Sequence, residues 1–417
     1  MKKSLLAVAA IGAFASAAQA QSSVTVYGIL DVGYIGGTTR IQDSSKASTA
    51  GYNNGTLKST VNQFGQSAES TSRLGFKGTE DLGGGTSAFF TAEFQLFPQE
   101  QTLSGNTSGG LVNRQTFVGL KKNGIGQTAI GTQYTPVFNA ASATDVGQFN
   151  NVTGNVIYAS STSITSASAG ANGTGFTNRT SNTLSLKSDK FAGFSASAIY
   201  TLNNRNSTQT TTSAATTGGE LNASGWGLGV DYTYNKFYIT AAYQALKQVT
   251  DANNTVSAWT NAQANGATLA LANPTATAGA LTGYASNVQD NQFYAGATYD
   301  FGILKAYAQY VSRKATSAIS SNFYGKRTAE QIGVRSYITP TIEAWASAGL
   351  GRVTTFGEST PTANFNGWQL GSNYYLSKRT NLYAIYGQTL TSTSATNAGV
   401  TTGGGMNNYA IGARHTF

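Results

Sequence analysis

The sequence predicts an all-β fold: a transmembrane antiparallel β-barrel of about sixteen strands, closed by its own two ends. Three observations predict it. Stretches of about ten residues with alternating polarity recur from Val24 to Phe417, and a period of two marks strands with two unlike faces. The connections between these stretches are alternately very short and long, which sorts loops to opposite ends of a barrel. The last stretch, 407–417, sets Tyr409, Ile411, Ala413, His415 and Phe417 on one face against Asn408, Ala410, Gly412, Arg414 and Thr416 on the other. Left as an open edge it would recruit other chains, whereas the segment 24–35 can pair with it and close the sheet.

The first twenty residues stand apart. Lys2 and Lys3 form a basic start, Leu5 to Ala15 an apolar run, and Ala18-Gln19-Ala20 a small-x-small cleavage site, so 1–20 reads as a secretory signal peptide and 21–417 as the exported barrel. The apolar run is shorter than the roughly 20 residues that a spanning helix needs. No later run is long enough either, which excludes a helical membrane protein. Cysteine is absent, so no disulfide or zinc-thiolate site can form, and no metal or cofactor is expected. Charged residues make up only 10% of the chain, but 22 tyrosines and 20 phenylalanines spread along it argue against disorder. The excess of Lys and Arg, 26 against 17 acids, in an exported chain suits anionic lipid headgroups and small anions rather than nucleic acid.

In order, the predicted strands are 24–35, 71–80, 86–97, 112–121, 126–134, 180–188, 193–204, 222–234, 236–248, 289–300, 303–314, 326–338, 341–353, 364–376, 380–391 and 407–417. Seven tight turns divide them: 81–85, 123–125, 189–192, Asn235, Gly302, Thr339-Pro340 and 377–379, each with turn chemistry or a polar cluster. Eight long connections, 36–70, 98–111, 135–179, 205–221, 249–288, 315–325, 354–363 and 392–406, are rich in Ser, Thr, Asn, Gly and Ala. The strand 86–97 sets Ala88, Phe90, Ala92, Phe94 and Leu96 against Phe89, Thr91, Glu93 and Gln95, and 364–376 sets Trp368, Leu370, Tyr374 and Leu376 against Gln369, Gly371, Asn373 and Tyr375. The apolar sets face lipid and the polar sets a wet interior. A soluble secreted β-protein would alternate too, but it would bury larger aliphatic residues than these Ala, Phe and Tyr faces supply.

Several motifs are similar to a known family. V-T-V-Y-G-I-L-D at 24–31, S-R-L-G-F-K-G-T-E-D-L-G-G-G at 72–85, N-R-Q-T-F-V-G-L at 113–120, L-S-K-R-T-N-L-Y-A-I-Y at 376–386 and G-A-R-H-T-F at 412–417 resemble the trimeric general porins of Gram-negative bacteria, and the beta-proteobacterial branch most. The resemblance implies a homotrimer of sixteen-stranded barrels in the outer membrane. Each would have its third long loop folded inward to narrow a channel for small hydrophilic solutes and ions. It also implies lipopolysaccharide and other outer-membrane lipids as surroundings, and a C-terminal signature at Tyr409, Ile411 and Phe417 read by the barrel-assembly machinery.

The same resemblance places a pore constriction. The third long loop, 135–179, holds one acidic residue, Asp145. Arg73, Lys77, Arg114 and Arg179 would face it, with Glu93 as a nearby acid, and the transverse field would select ions, with a preference for anions. For a lone arginine a solvated rim is the alternative role, whereas Arg73 and Arg114 each sit inside a matching motif. The chain departs from many relatives in carrying Gly131-Thr132 where they carry Gly-Arg. An enzyme would need histidine paired with Ser or Asp, and the single histidine, His415, lies on the face of Tyr409 and Phe417. A substrate-specific channel would want an aromatic track along the lumen, to which Tyr27, Tyr294 and Tyr375 are candidates. An energised transporter would need a plug ahead of Val24. An adhesin role for the long loops is compatible with a pore.

Overall fold

In the computed structural model, which describes residues 23–44, 48, 53–103, 110–158, 175–211, 216–250, 288–317, 324–356, 362–395 and 401–417, seventeen strand segments form one closed antiparallel sheet. They are β1 (Ser23–Asp43), β2 (Thr56–Gln66), β3 (Arg73–Gly83), β4 (Thr86–Gln95), β5 (Val112–Lys122), β6 (Gly126–Tyr134), β7 (Arg179–Ser188), β8 (Phe194–Thr211), β9 (Thr216–Tyr234), β10 (Phe237–Thr250), β11 (Val288–Asp300), β12 (Lys305–Ser317), β13 (Tyr324–Thr339), β14 (Ile342–Phe356), β15 (Ala363–Tyr375), β16 (Thr380–Ala395) and β17 (Thr401–Thr416). One helix, α1 (Pro136–Thr144), follows β6. The signal-peptide reading of 1–20 falls outside the described residues.

Seventeen segments occupy sixteen places around the barrel. β1 is long enough to carry two partners end to end on one edge: β2 along Val32–Gln42 and β3 along Ser23–Ile29. Its other edge pairs with β17 from Ile29↔Thr416 to Asp43↔Thr402 and closes the sheet. The closure continues one residue further, where Phe417 and Gly28 exchange backbone hydrogen bonds of 3.1 and 3.0 Å. Gly28 is required here, because a Cβ at this position would meet the Phe417 ring and the Arg73 carbonyl.

All sixteen expected strands are present, with the seven tight turns between them. The reading of 36–70 as a loop is corrected: β1 runs on to Asp43, and Thr56–Gln66 is a strand. Most other strands also extend toward the long-loop end, as β8 does to Thr211 and β9 does back to Thr216.

The faces are inverted relative to a water-soluble protein. On β15, Gln369 is 0% exposed while its neighbour Leu370 is 52% exposed, and the same alternation runs along the strand. Leu184, Leu186, Ile332, Val334, Leu350 and Ile411 are likewise exposed. Each such side chain gains about 1.5–3 kcal/mol on leaving water, so the surrounding solvent that suits this barrel is hydrocarbon. The polar sets point to the inside, and the chain after β6 packs on them.

That chain segment begins with a helix for local reasons. Thr135 caps it, accepting the Phe138 N–H at 3.2 Å, and Pro136 supplies a preset φ in the first turn. α1 then lies against β8 to β12, with the Thr144 hydroxyl bonded to the Tyr294 hydroxyl. Residues 146–158 continue along β13 to β16: the Val156 N–H donates to Gln331 at 3.0 Å and the Asn150 amide to Gln369 at 3.1 Å. At its far reach the Asn151 amide donates to the Ser67 carbonyl at 2.7 Å, and on the return the Thr177 N–H donates to Gln292 at 2.7 Å. One segment can touch strands so far apart around the ring only by lying across the concave side. The approach is close at Gly387, where a side chain would strike the Thr153 carbonyl.

Candidate functional site

The wall that 136–158 covers least is β3 to β7, and three arginines project there. Arg73 opens β3 directly after the segment 67–72 that separates it from β2. Its Nε donates to the Thr71 carbonyl at 2.8 Å and its Nη2 to the Ser70 hydroxyl at 3.2 Å. Arg114 arrives by a different device. It shares parity with the exposed Val118 and Leu120, which would aim it at lipid. The ladder of β4 and β5 shifts between Glu93↔Gln115 and Phe94↔Asn113, leaving Arg114 as the extra residue of a β-bulge. A bulge re-aims the side chain that it inserts, and Arg114 is accordingly 6% exposed.

Glu93 on β4 gathers this group. Its Oε1 accepts Arg114 Nε at 2.8 Å and lies 3.9 Å from Arg73 Nη1, while its Oε2 accepts the Tyr27 hydroxyl at 3.2 Å. Arg114 Nη2 donates onward to the Tyr134 hydroxyl at 2.9 Å. Arg179, the first residue of β7, stacks over the Tyr134 ring at 5.6 Å. The three arginines lie within electrostatic reach of one another and of Glu93; among the described residues Arg73 and Arg114 pair with that carboxylate, and the patch is net positive. Guanidiniums tolerate such crowding because their charge is delocalised and weakly hydrated.

Beside the arginines stands an aromatic stack. Tyr134 packs on Phe138 at 4.1 Å and Phe149 on Tyr158 at 4.3 Å, with Phe176 against both Phe149 and Tyr158. Burial pushes the Tyr158 hydroxyl up to about 12, although the Arg179 and Arg114 charges pull it down, so it is a neutral donor at physiological pH.

The structure therefore brings Arg73, Arg114 and Arg179 together and leaves Lys77 and Asp145 apart. Lys77 is four residues further along β3, about 13 Å at the usual strand rise, and its Nζ sits over the Tyr27 ring at 5.4 Å. Asp145 does not project toward the arginines as the transverse-field reading requires. It is 3% exposed at the C-terminus of α1. Its Oδ2 accepts the Phe149 N–H at 2.7 Å and its Oδ1 the Asn155 amide at 2.7 Å. Burial pushes its carboxyl upward, opposed by those two donors and the Arg335 charge. The physical reason for this placement is the turn that follows: Gln148 and Phe149 are both left-handed at φ +53° and +55° without being glycine, and the carboxylate holds that strained pair closed.

Residues that sequence reasoning missed seat this segment on the wall. Arg335 Nε donates to the Val146 carbonyl at 3.0 Å and its Nη1 pairs with Glu343 at 2.9 Å. Arg327 Nη2 donates to the Val156 carbonyl at 2.5 Å, and its cross-strand partner Arg313 pairs within the wall with Asp290 of β11 through a contact of 2.6 Å. Their inward parity was readable from the alternation with Ile332 and Val334, but no pattern in the sequence tells an arginine that lines a lumen from one that bonds a loop.

Asp145→Ala is therefore expected to loosen the turn at 148–149 and not to alter the charge facing a permeating ion. Losing two hydrogen bonds to a carboxylate costs about 3 kcal/mol locally. Single-channel records should show added flicker with an unchanged reversal potential; a clear shift in reversal potential would return Asp145 to the filter.

The sequence comparisons with known proteins agree on one family. A family model described as Gram-negative porin matches residues 7–394. Outer membrane porin protein 32 of Delftia acidovorans is 35% identical over 208 residues, which cover 48% of this chain and 49% of that protein. The matched stretch thus spans about half the length of that relative. Among solved structures, an anion-selective porin from Comamonas acidovorans superposes with a TM-score of 0.64 at 23% identity, covering 95% of this chain and 100% of its own. The outer membrane protein OmpT of Vibrio cholerae, in its trimer form, gives a TM-score of 0.56 at 14% identity over 95% of this chain and 99% of its own. At these identities the two structures bear on the fold alone.

Proposed function

Since the chain belongs to the Gram-negative porin family, we propose that it is an outer-membrane general diffusion porin, a passive water-filled channel for small hydrophilic solutes and ions with a preference for anions. The observation that carries this reading is the guanidinium patch of Arg73, Arg114 and Arg179 on β3 to β7, the stretch of inner wall that 136–158 covers least. A fixed positive charge at a narrowing raises the local concentration of anions and lowers that of cations. In this reading 136–158 narrows the lumen from the opposite side, and Glu93 tempers the field.

The same reading makes 1–20 an export leader and 21–417 the mature barrel, assembled as a homotrimer among outer-membrane lipids. The trimer form of the Vibrio cholerae protein supports that assembly by analogy of fold. Tyr409, Ile411 and Phe417 at the closing strand would be the feature that barrel-assembly machinery reads.

Liposome swelling tests the pore itself. Vesicles carrying the folded protein should swell in small sugars and amino acids at rates that fall steadily with solute size. Rates no faster than those of empty vesicles would overturn a diffusion function, and a fast rate for one solute alone would point to a substrate-specific channel.

A further inference from the structure

The lumen side of 136–158 carries aromatic rings where a water-filled pore calls for polar side chains. In α1 the residues Pro136, Val137, Ala140, Ala141 and Thr144 are buried and form the stripe that lies on the wall. Phe138 belongs to the other stripe, with the exposed Asn139, Ser142 and Ala143, so its half-buried ring borders the lumen. Phe149 reaches the same place by a costlier route. It is half-buried beside the exposed Gln148 and stands at φ +55°, a left-handed conformation that a bulky residue rarely adopts. Strain of this kind gathers where a side chain is held for a ligand. The ring so placed lies 5.2 Å from Phe138, and the buried Tyr158 and Phe176 back the pair from behind.

Tyr134 joins this facet to the arginines. Its ring is stacked on Phe138 at 4.1 Å and 12°, Arg179 stands over it at 5.6 Å, and its hydroxyl accepts Arg114 Nη2 at 2.9 Å. Arg73 and Arg179 are themselves half-buried, so an anion in the lumen can reach them. Cationic patch and apolar facet are thus separated by the width of one ring, which a compact aromatic acid spans.

We propose that the narrow part of the channel selects aromatic carboxylates among the anions that enter it, the carboxylate on Arg73 and Arg179 and the ring on the facet of Phe138 and Phe149. The solute class follows from the pairing of the two surfaces. An inorganic anion leaves the rings in water, and a neutral aromatic leaves the guanidiniums without a charged acceptor. An aliphatic acid covers the facet but lacks the offset or edge-to-face ring geometry that favours aromatic pairs. The proposal rests on the diffusion-pore reading above and names a solute class within it.

Block of the chloride current through the folded protein in a planar bilayer tests it, with benzoate and cyclohexanecarboxylate as probes of equal charge and similar size. Benzoate should half-block at a concentration about fivefold lower, the contribution of one aromatic pair. A change in pore width or in wall charge acts on both probes, so the ratio of their half-blocking concentrations reports the rings. Phe138→Leu should bring the two concentrations together, and Phe138→Tyr should keep them apart. Benzamide, which has the ring without the charge, should leave the current unblocked where benzoate blocks it. Equal half-blocking concentrations of the two acids in wild type, or a difference that survives Phe138→Leu, would overturn the proposal. If Phe138→Leu folds poorly, the wild-type probes decide alone, and block by benzamide equal to that by benzoate would overturn it as well. A wild type that passes no current fails the pore reading and this proposal with it, whereas a conducting channel that treats the two acids alike fails this proposal alone.

Discussion

Replacing Arg73 and Arg114 together by alanine is expected to abolish most of the anion preference and to raise conductance. Arg73 and Arg114 contact Glu93 at 3.9 and 2.8 Å, and Arg179 stands within electrostatic reach of all three. The double change leaves Arg179 facing Glu93, so the positive excess disappears. Two unit charges 8 Å apart interact by about 2 kcal/mol at an effective dielectric of 20. Water and salt in the lumen reduce this, with a Debye length of about 8 Å at physiological ionic strength, so a severalfold loss of preference is the expected size. Glu93→Gln should act in the opposite direction, since it removes the single acid and keeps an oxygen for Arg114. Reversal potentials in a salt gradient distinguish the two. If the double alanine variant keeps its potential while the folded protein is intact, the patch is not the filter.

Asp31→Ala should cost much of the folded protein. Asp31 on β1 is 0% exposed and stands where β2 and β3 part. Its Oδ2 accepts the N–H groups of Glu69 and Ser70 at 2.9 and 2.6 Å, and its Oδ1 accepts the Tyr383 hydroxyl at 2.6 Å. Residues 67–72 leave the ladder, so these bonds replace the sheet pairing that the segment gives up. Alanine would strand the buried Glu69 and Tyr383 donors and the half-buried Ser70 N–H, at about 1–3 kcal/mol for each buried one, a sum that approaches the net stability of many domains. The neighbouring Glu69 would lose its setting beside Asn381 and Arg414, which contact it at 2.9 and 3.4 Å. Asn151 would lose the fixed Ser67 carbonyl as well. On unheated gels the variant should show less folded protein and convert to the unfolded band at lower temperature. An unchanged conversion temperature would show that the break is held by something else.

What could be read from the sequence follows the membrane. Within the hydrocarbon band one face of each strand must be apolar, so the alternation was legible, and the short turns announced themselves by Gly83, Gly84, Gly85, Asn235 and Gly302, all at positive φ. β2 was not legible because T-L-K-S-T-V-N-Q-F-G-Q lies on the long-loop side of the barrel and is polar on both faces; without lipid on one side the period of two fades. The basic site divides the same way. Arg73 follows simple parity, whereas Arg114 shares parity with Val118 and reaches the lumen only through a bulge, so its family motif located it where alternation would have misplaced it. Asp145 stood out as the single acid of its loop, but the left-handed backbone at Gln148 and Phe149 has no glycine to signal it. The demand that draws the carboxylate inward was therefore invisible.

The most direct test of the central claim is the zero-current potential of the unmodified protein in a planar bilayer between dilute and more concentrated potassium chloride. The net positive patch of Arg73, Arg114 and Arg179 predicts a potential of the sign set by chloride, largest at low salt and shrinking as both solutions are raised together. A potential of the potassium sign at low salt would contradict the account.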